Sequence, residues 1–231
     1  MTEGQKKNPS KTLPLILKAS LTLAIITFIG VALLAGTWEL TEEKIAEQQR
    51  KAVLTGLNQI LPAESYDNEL QDDTLIINAQ GFFKHPKAVV VFRARKQGQP
   101  IAVILQMTTG EGYNGDISLL VGIYNDGTIA GVRVTQQRET PGLGDAIDSR
   151  RSDWALGFKH RALGDPIASK WTVKRNGGDF DQFTGATISP RAVIKAVRRA
   201  LEYERNNREA LYHKNPIAKQ QGKNIKELSA Q

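Results

Sequence analysis

A loop rich in threonine and glycine leads directly into the chain's last predicted helix. Residues 184–187 read Thr-Gly-Ala-Thr, Ser189 suits the N-cap, and Pro190 suits the first helical position, where its missing N–H costs nothing. The free N–H groups of a helix's first turn and the positive end of its dipole favour a phosphate there. The spacing therefore predicts the hydroxyl of Thr187 beside an anion site.

Three charged residues flank this segment. Asp181, six positions before Thr187, could help to bind a metal ion or to position an enzyme that attaches a group. Lys174 and Arg191 could offset the charge of a phosphate. On spacing alone the segment could equally be a simple turn and cap, because Gly, Thr and Ser are common before helices for local hydrogen-bonding reasons. The residues alone leave both interpretations open.

The amino-acid composition excludes several kinds of metal and redox site. The chain has no cysteine, which excludes disulfides, thiolate metal sites, iron–sulfur ligation and c-type haem attachment. Its three histidines, His85, His160 and His213, lack carboxylate or cysteine neighbours at ligand spacing, so no metal site is predicted. Any redox chemistry must therefore come from a bound organic cofactor. The sequence also offers no nucleophile-and-base pair, and we assign no catalytic residue.

An uncharged stretch, residues 19–38, predicts a membrane span near the N-terminus. Its twenty residues correspond to about 30 Å of helix, the hydrocarbon thickness of a bilayer. Lysines precede the stretch and glutamates follow it, so the positive-inside rule predicts a cytoplasmic N-terminus. A cleaved signal peptide is the alternative, but the stretch is long for one and lacks an Ala-x-Ala boundary. We therefore predict an uncleaved anchor in a bacterial inner membrane, with the main domain in the periplasm.

These features divide the chain into four parts. We predict a cytoplasmic basic segment at 1–18, the transmembrane helix at 19–38, an extracytoplasmic domain at 39–205 and a polar, disordered tail at 206–231. The net charge is +7, and much of the excess lies in the first and last parts. This distribution favours attraction to a membrane surface and a solvated tail over binding to nucleic acid.

Hydrophobic periodicity predicts an α+β fold for the extracytoplasmic domain. A helical spacing covers 41–61, and a second apolar stripe follows Pro190. Short β-branched runs predict strands at 74–77, 88–92, 101–107, 117–124, 128–135 and 171–174. Residues 125–127, Asn-Asp-Gly, tolerate the positive φ of a tight turn, so the two runs beside them form a hairpin. We expect an antiparallel sheet with flanking helices.

Two separated motifs resemble those of a known family. Residues 181–187, an Asp followed after a short gap by Thr-Gly-Ala-Thr, resemble the flavinylation motif of the FMN-binding domain family. In that family the phosphate of FMN esterifies the last Thr. Residues 139–144, Glu-Thr-Pro-Gly-Leu-Gly, resemble a loop shared by the G subunit of Rnf-type electron transport complexes and the C subunit of sodium-pumping NADH:quinone reductases. Residues 112–117 are a weaker match to the family's Gly-Tyr loop. The single anchor and the Thr-Gly-Ala-Thr form are more similar to the Rnf-type G subunit.

The resemblance implies a covalent FMN on Thr187 and a set of residues around it. Those implied to contact the phosphate, or to be recognised by the attaching enzyme, are Thr184, Gly185, Ala186 and Asp181. Those implied to form a loop facing the flavin are Glu139, Thr140, Leu143 and Gly144. Lys174 could stabilise the negative charge of reduced flavin or of the phosphate.

Four further side chains lie outside these two groups. Trp154 and Trp171 could stack on the flavin ring, although buried aromatic residues usually belong to the core. Many relatives carry a His at the position of Gln137 and an Asp at that of Asn176. These departures put in doubt any role for those two side chains.

The implied function is electron transfer within a membrane complex. FMN accepts one or two electrons, and the protein supplies position and hydrogen bonds that tune its potential. The chain would be the covalent-FMN subunit of a complex that couples NADH- and ferredoxin-type electron transfer to ion translocation, without turnover of its own. Implied partners are the other subunits, the membrane and a flavin transferase, and no nucleic acid. The alternatives are the C subunit of a sodium-translocating NADH:quinone reductase, or a membrane-anchored flavin-based redox sensor or assembly protein.

Overall fold

The computed structural model describes residues 9–212. The predicted basic segment therefore lies partly outside the described residues, as does most of the predicted tail. The chain divides into two compact units, one ending at Ala52 and the other beginning at Val53. The second unit contains the sheet and the candidate site.

Helix α1 spans Pro9–Ile60 and contains the predicted membrane segment. Within it, Ser20–Trp38 has a mean hydropathy of 2.1, and none of this stretch is buried against protein. By length and composition the stretch could cross a bilayer once. The helix ends two residues before Pro62, where the sequence predicted a helix end, because proline lacks the N–H that a helix interior needs.

The sheet is a five-stranded antiparallel meander. Its strands are β1 (Thr74–Ile77), β2 (Val89–Lys96), β3 (Gln99–Thr109), β4 (Ile117–Tyr124) and β5 (Ile129–Gln136), and they pair in chain order. The hairpin between β4 and β5 turns at Gly127, whose φ is +88° and whose N–H donates to Tyr124 O at 2.9 Å. The predicted α+β fold and the predicted hairpin are confirmed.

Apolar side chains cover both faces of the sheet. One face packs against α3 (Ile188–Tyr212), with α2 (Gln80–Phe83) beside it, and this larger core includes Phe158, Trp171 and Phe180. The other face packs against the end of α1 through Leu57, Ile60 and Leu61. Since β2, β3 and β4 each contribute residues to both faces, their near-continuous burial follows from coverage on both sides.

The segment between β5 and α3 corrects one sequence prediction. The strand predicted at 171–174 is wrong, because the structure has only an isolated bridge between Val173 and Phe180 there. A 3₁₀ turn, Lys174–Asn176, follows at once, and Gly177 with φ +80° reverses the chain before a ladder can extend. Three more 3₁₀ turns, Gly144–Ile147, Trp154–Phe158 and Ala168–Lys170, occupy this segment.

The C-terminal boundary also differs from the prediction. The domain was expected to end at 205, but α3 continues to Tyr212, with non-helical φ and ψ at Asn207. Leu211 and Tyr212 are buried, and the carbonyl of Tyr212 accepts a 2.7 Å hydrogen bond from Arg95 Nη2. Residues 206–212 therefore belong to the folded domain, while the remainder of the predicted tail, 213–231, lies outside the described residues.

Candidate functional site

A cleft of about 320 Å³ lies where three chain segments meet beside the start of α3. It is lined by Tyr113, Glu139, Thr140, Leu143, Gly144, Gly185, Ala186, Thr187, Ile188 and Ser189. Both motifs singled out in the sequence, 139–144 and 184–187, therefore meet at one place. The third segment is the loop between β3 and β4, which the weaker motif at 112–117 had marked.

Thr187 occupies the helix-start position that the sequence had assigned to Ser189. Helix α3 begins at Ile188, and the carbonyl of Thr187 accepts the N–H of Arg191, as the carbonyl of an N-cap residue does. The N-cap prediction for Ser189 is wrong, because its buried hydroxyl instead donates to Glu139 Oε2. The half-buried Thr187 thus lies directly at the positive end of the helix dipole.

The turn before Thr187 depends on Gly185. The N–H of Ala186 donates to Phe183 O at 3.1 Å, and Gly185 has a φ of +79° at the third position of this turn. A side chain is strained at such a φ. A Cβ there would also lie 3.3 Å from Leu143 Cδ2, so the two motif loops touch at this glycine.

The loop at 139–144 is shaped by a second turn of the same kind. Leu143 N–H donates to Thr140 O at 3.1 Å, and Gly142 has a φ of +76° after Pro141. The turn leaves the side chain of Leu143 41% exposed at the cleft. Gly144 lies so close to α3 that a Cβ would stand 2.5 Å from Ser189 Oγ.

Glu139 is buried at the base of the cleft and is only 4% exposed. Its Oε1 accepts the N–H of Asn114 at 3.1 Å, and its Oε2 accepts the N–H of Tyr113 at 3.2 Å and the hydroxyl of Ser189. Its own N–H donates to Gln137 Oε1 at 2.6 Å. The carboxylate predicted to face a ligand is thus already bonded to three protein donors.

The loop that carries Tyr113 is held at both ends by side-chain hydrogen bonds. Glu111 accepts from Arg199 Nη1 at 2.5 Å, and this hydrogen bond lowers the pKa of Glu111 below its ordinary value. At the other end, His85 Nε2 lies 3.2 Å from Asp116 Oδ2. Tyr113 itself is 68% exposed. The loop therefore presents an open aromatic side chain on a fixed backbone.

Three predicted site residues lie outside the cleft lining. Lys174 Nζ and Asp181 Oδ1 form a 2.7 Å ion pair on the surface, with side chains 57% and 69% exposed. Thr184 is exposed and is not among the residues that line the cleft. The structure groups Lys174 with Asp181, but it does not bring these three residues to the cleft. Asn176 is likewise exposed, in the neighbouring 3₁₀ turn.

The two tryptophans pack in the core. Trp171 is buried and donates its indole N–H to Pro166 O at 2.9 Å. Trp154 packs edge-on against Phe158 and donates to Asp181 O at 2.8 Å. Neither lines the cleft, so the structure favours the core interpretation of both.

Three lining residues were not among the predicted site residues. Tyr113 lies in the Gly-Tyr loop that the sequence marked without assigning a role to the side chain. Ile188 and Ser189 were read only as part of a helix start. The sequence offers one signal for Ile188, since it is an apolar residue directly after the proposed attachment point. The structure shows that its side chain remains 40% exposed there.

Comparison of the sequence with known proteins identifies the family of the chain. Residues 112–202 match the FMN-binding domain family, and residues 12–60 match the RnfG N-terminal region. The G subunit of the ion-translocating oxidoreductase complex of Pseudoalteromonas atlantica is 42% identical over 198 residues, which cover 86% of this chain and 92% of the relative. The corresponding protein of Pseudomonas aeruginosa is 44% identical over 196 residues, covering 85% and 92%. That of Vibrio cholerae is 42% identical over 198 residues, covering 86% and 94%.

The chain belongs to this family of G subunits. The predicted resemblance is confirmed, as is the predicted FMN-binding domain. The match to that domain begins at Gly112 and ends at Glu202, so it contains every residue that lines the cleft. In this member of the family the cleft is therefore the candidate place for FMN.

The residues at the cleft suit the chemistry of FMN. A helix start with a half-buried hydroxyl suits the anionic phosphate end. Exposed apolar surface on Tyr113, Leu143 and Ile188 suits a planar aromatic ring. The volume falls at the lower end of the range of about 300–1,000 Å³ that is common for small-molecule sites.

Proposed function

We propose that this member of the G-subunit family carries FMN esterified through its phosphate to Thr187. The observation that carries the proposal is the position of one hydroxyl. Of the two threonines in Thr-Gly-Ala-Thr, only Thr187 lines the cleft, and it does so at the start of α3. Two other residues with an aliphatic hydroxyl line the cleft: Ser189 is buried and bonded to Glu139, and Thr140 opens the Pro-Gly turn.

The ester would form between Thr187 Oγ1 and the phosphorus of the flavin nucleotide. In the net condensation the hydroxyl gives up its proton and the phosphate gives up one hydroxyl group, which leave together as water, so the protein gains the mass of FMN less one water. A flavin transferase would catalyse this step. Lys174 and Asp181, paired on the surface outside the cleft, would then contribute to recognition by that enzyme rather than to contact with the ring.

The attached FMN would make the chain an electron relay. FMN supplies a centre that accepts one or two electrons. The chain's own residues would hold that centre: Leu143, Ile188 and Tyr113 offer apolar surface, and the helix start stabilises the phosphate. The covalent bond keeps the centre from diffusing away.

The relay would operate inside a membrane complex that moves ions. The relatives are named as subunits of an ion-translocating oxidoreductase complex, and we extend this assignment, with electron transfer of the NADH and ferredoxin type, to the present chain. Within the described residues, the one candidate span, Ser20–Trp38, contains no charged residue that could bind an ion. Ion movement would therefore belong to other subunits.

The proposed orientation places the N-terminus in the cytoplasm. The lysines before the span and the glutamates after it support this orientation by the positive-inside rule. The FMN domain would then lie in the periplasm, anchored to the bacterial inner membrane. A tethered position keeps the flavin close to its partner subunits.

Mass analysis of the protein from its native membrane tests the covalent bond. We expect an intact mass higher by FMN less one water, and peptide mapping that places this mass on Thr187. An unmodified peptide, from cells that demonstrably flavinylate other proteins, would refute the covalent assignment.

The two threonines of the motif provide a matched pair of variants. Thr187→Ala should abolish covalent flavin, whereas Thr184→Ala should keep most of it, because only Thr187 lies at the cleft. Loss of the N-cap hydroxyl should lower the free energy of unfolding by only about 1 kcal/mol, so the Thr187 variant should still fold. If covalent flavin persists in Thr187→Ala, or disappears only in Thr184→Ala, Thr187 is not the attachment site.

A further inference from the structure

Glu139 differs from the other buried acidic residues of the described domain. Asp73, Asp145, Asp148 and Glu204 each lie within 4 Å of an arginine, at distances between 2.5 and 3.5 Å. Among the described residues, Glu139 has no lysine, arginine or histidine within that distance. Its carboxylate is bonded only by two backbone N–H groups and one hydroxyl.

These three donors come from two separate segments that both contribute to the cleft lining. Tyr113 and Asn114 belong to the β3–β4 loop, and Ser189 belongs to the first turn of α3. An ionised carboxylate only accepts hydrogen bonds, so its two oxygens match three donors well. Glu139 therefore fastens the Tyr113 loop to the helix that carries Thr187.

Two glycines lie close to the side chain of Glu139. A Cβ on Gly112 would lie 2.8 Å from Glu139 Oε1, and one on Gly144 would lie 3.1 Å from Glu139 Cβ. The backbone approaches the carboxylate closely from both sides. Small displacements of the carboxylate would therefore move both walls of the cleft.

The charge of Glu139 has an electrostatic consequence for anything that lies in the cleft. A negative charge that is balanced by dipoles alone, and shielded from water, acts strongly on its surroundings. It opposes the arrival of further negative charge nearby. Reduction adds electrons to a flavin, so this charge would make the reduction of a flavin in the cleft less favourable.

We propose that Glu139 is a positioning residue that fixes the two walls of the cleft and lowers the reduction potential of the FMN held there. The effect on the reduction potential rests on the proposed function, because it requires FMN in the cleft. The positioning role concerns the protein without flavin and can be tested separately.

The potential is measured on full-length, flavinylated protein by spectroelectrochemical titration. Glu139→Gln should shift the midpoint potential to a more positive value, because it removes the charge and keeps the shape. Glu111→Gln loosens the same loop at a residue outside the cleft lining and should leave the potential near that of the unaltered protein.

Amide hydrogen exchange tests the positioning role without flavin, in full-length Thr187→Ala protein. Adding Glu139→Gln should speed exchange at Tyr113 or Asn114 by roughly tenfold or more, since hydrogen bonds to charged groups are among the stronger ones. Glu139→Asp offers a second variant if the Gln variant fails to fold. It keeps the charge but is one methylene shorter, so exchange should still become faster while the potential shifts less than in Glu139→Gln.

The outcomes separate the two proposals. An unchanged potential in flavinylated Glu139→Gln would overturn the electrostatic role, and unchanged exchange at Tyr113 and Asn114 in both variants would overturn the positioning role. If the unaltered protein carries no flavin, the proposed function fails. The exchange experiment then still decides whether Glu139 holds the loop.

Discussion

The close approach of the 139–144 loop to α3 depends on a single missing side chain. At Gly144, a Cβ would stand 2.5 Å from Ser189 Oγ and 3.1 Å from Glu139 Oε2. Contacts this short force neighbouring atoms to move. Because Ser189 and Glu139 are hydrogen bonded to each other, they can move only by breaking that bond or opening the cleft.

Gly144→Ala should therefore lower both stability and flavin content. We expect the free energy of unfolding to fall by about 1–3 kcal/mol, the usual effect of overpacking a tight site. It is measured by urea denaturation of full-length protein in detergent, and covalent flavin by in-gel fluorescence. Gly157→Ala is the control, because nothing lies within 4 Å of a Cβ at that position. Equal stability of the two variants would contradict the proposed fit.

Sequence motifs marked the proposed attachment residue and the 139–144 loop, but not the bond that joins this loop to α3. Thr187 and the 139–144 loop could be named because family motifs are local strings of residues. The bond between Ser189 and Glu139 joins residues fifty positions apart, so no local pattern reports it. The same limit explains why Ser189 was predicted to be an N-cap: its residue type fits a cap, but a tertiary partner takes its hydroxyl.

At the scale of elements, the sheet was the most predictable part of the chain. The bounds of β1 and β4 agree with the prediction, since β-branched runs between turn residues define them. The segment from β5 to α3 was predicted poorly because it is built from 3₁₀ turns, which lack a hydrophobic period of their own. The extent of α3 beyond 205 depends on burial of Leu211 and Tyr212, a tertiary effect that a polar local sequence conceals.

The packing of the end of α1 on the sheet depends on a pair of glycines. Gly122 of β4 and Gly131 of β5 are directly paired in the sheet. A Cβ on Gly122 would lie 2.2 Å from Ile60 Cγ2, and one on Gly131 would lie 3.3 Å from Ile60 Cα. The two glycines thus form a slot that receives Ile60, and this contact was not predictable from either segment alone.

A double-mutant cycle tests this slot. Gly122→Ala should destabilise the domain through the clash with Ile60, and Ile60→Ala should cost about 2–5 kcal/mol through the cavity it leaves. Because Ile60→Ala also removes Cγ2, the double variant should be less destabilised than the sum by about 0.5–3 kcal/mol. Urea denaturation of full-length protein measures the free energy of unfolding of each single variant and of the double variant. Gly81→Ala is the control, because a Cβ at that position has no neighbour within 4 Å. Additive effects would show that Ile60 does not occupy the slot.

At the scale of the whole molecule, amino-acid composition alone constrains the chemistry. A chain without cysteine cannot carry iron–sulfur clusters on thiolates, which favours an organic cofactor for a redox role. The bounds of the candidate span Ser20–Trp38 agree with the predicted 19–38 to within one residue, because both follow the same continuous apolar stretch. Orientation was predicted from charge alone, and it decides on which side of the membrane the flavin would lie.

The lack of cysteine also makes the orientation directly measurable. Each introduced cysteine would be the only thiol in the chain, so Ser10→Cys and Ser149→Cys report on opposite sides of the span without background. Ser149 is exposed on the domain, which makes a thiol there accessible. A membrane-impermeant maleimide applied to spheroplasts should label position 149 and not position 10, and inverted vesicles should give the reverse, because the basic segment before the span favours the cytoplasm. Labelling of position 10 in intact spheroplasts would place the FMN domain in the cytoplasm instead. The electron donors and acceptors available to Thr187-bound flavin would then be cytoplasmic carriers, and the proposed relay on the periplasmic side would have to be abandoned.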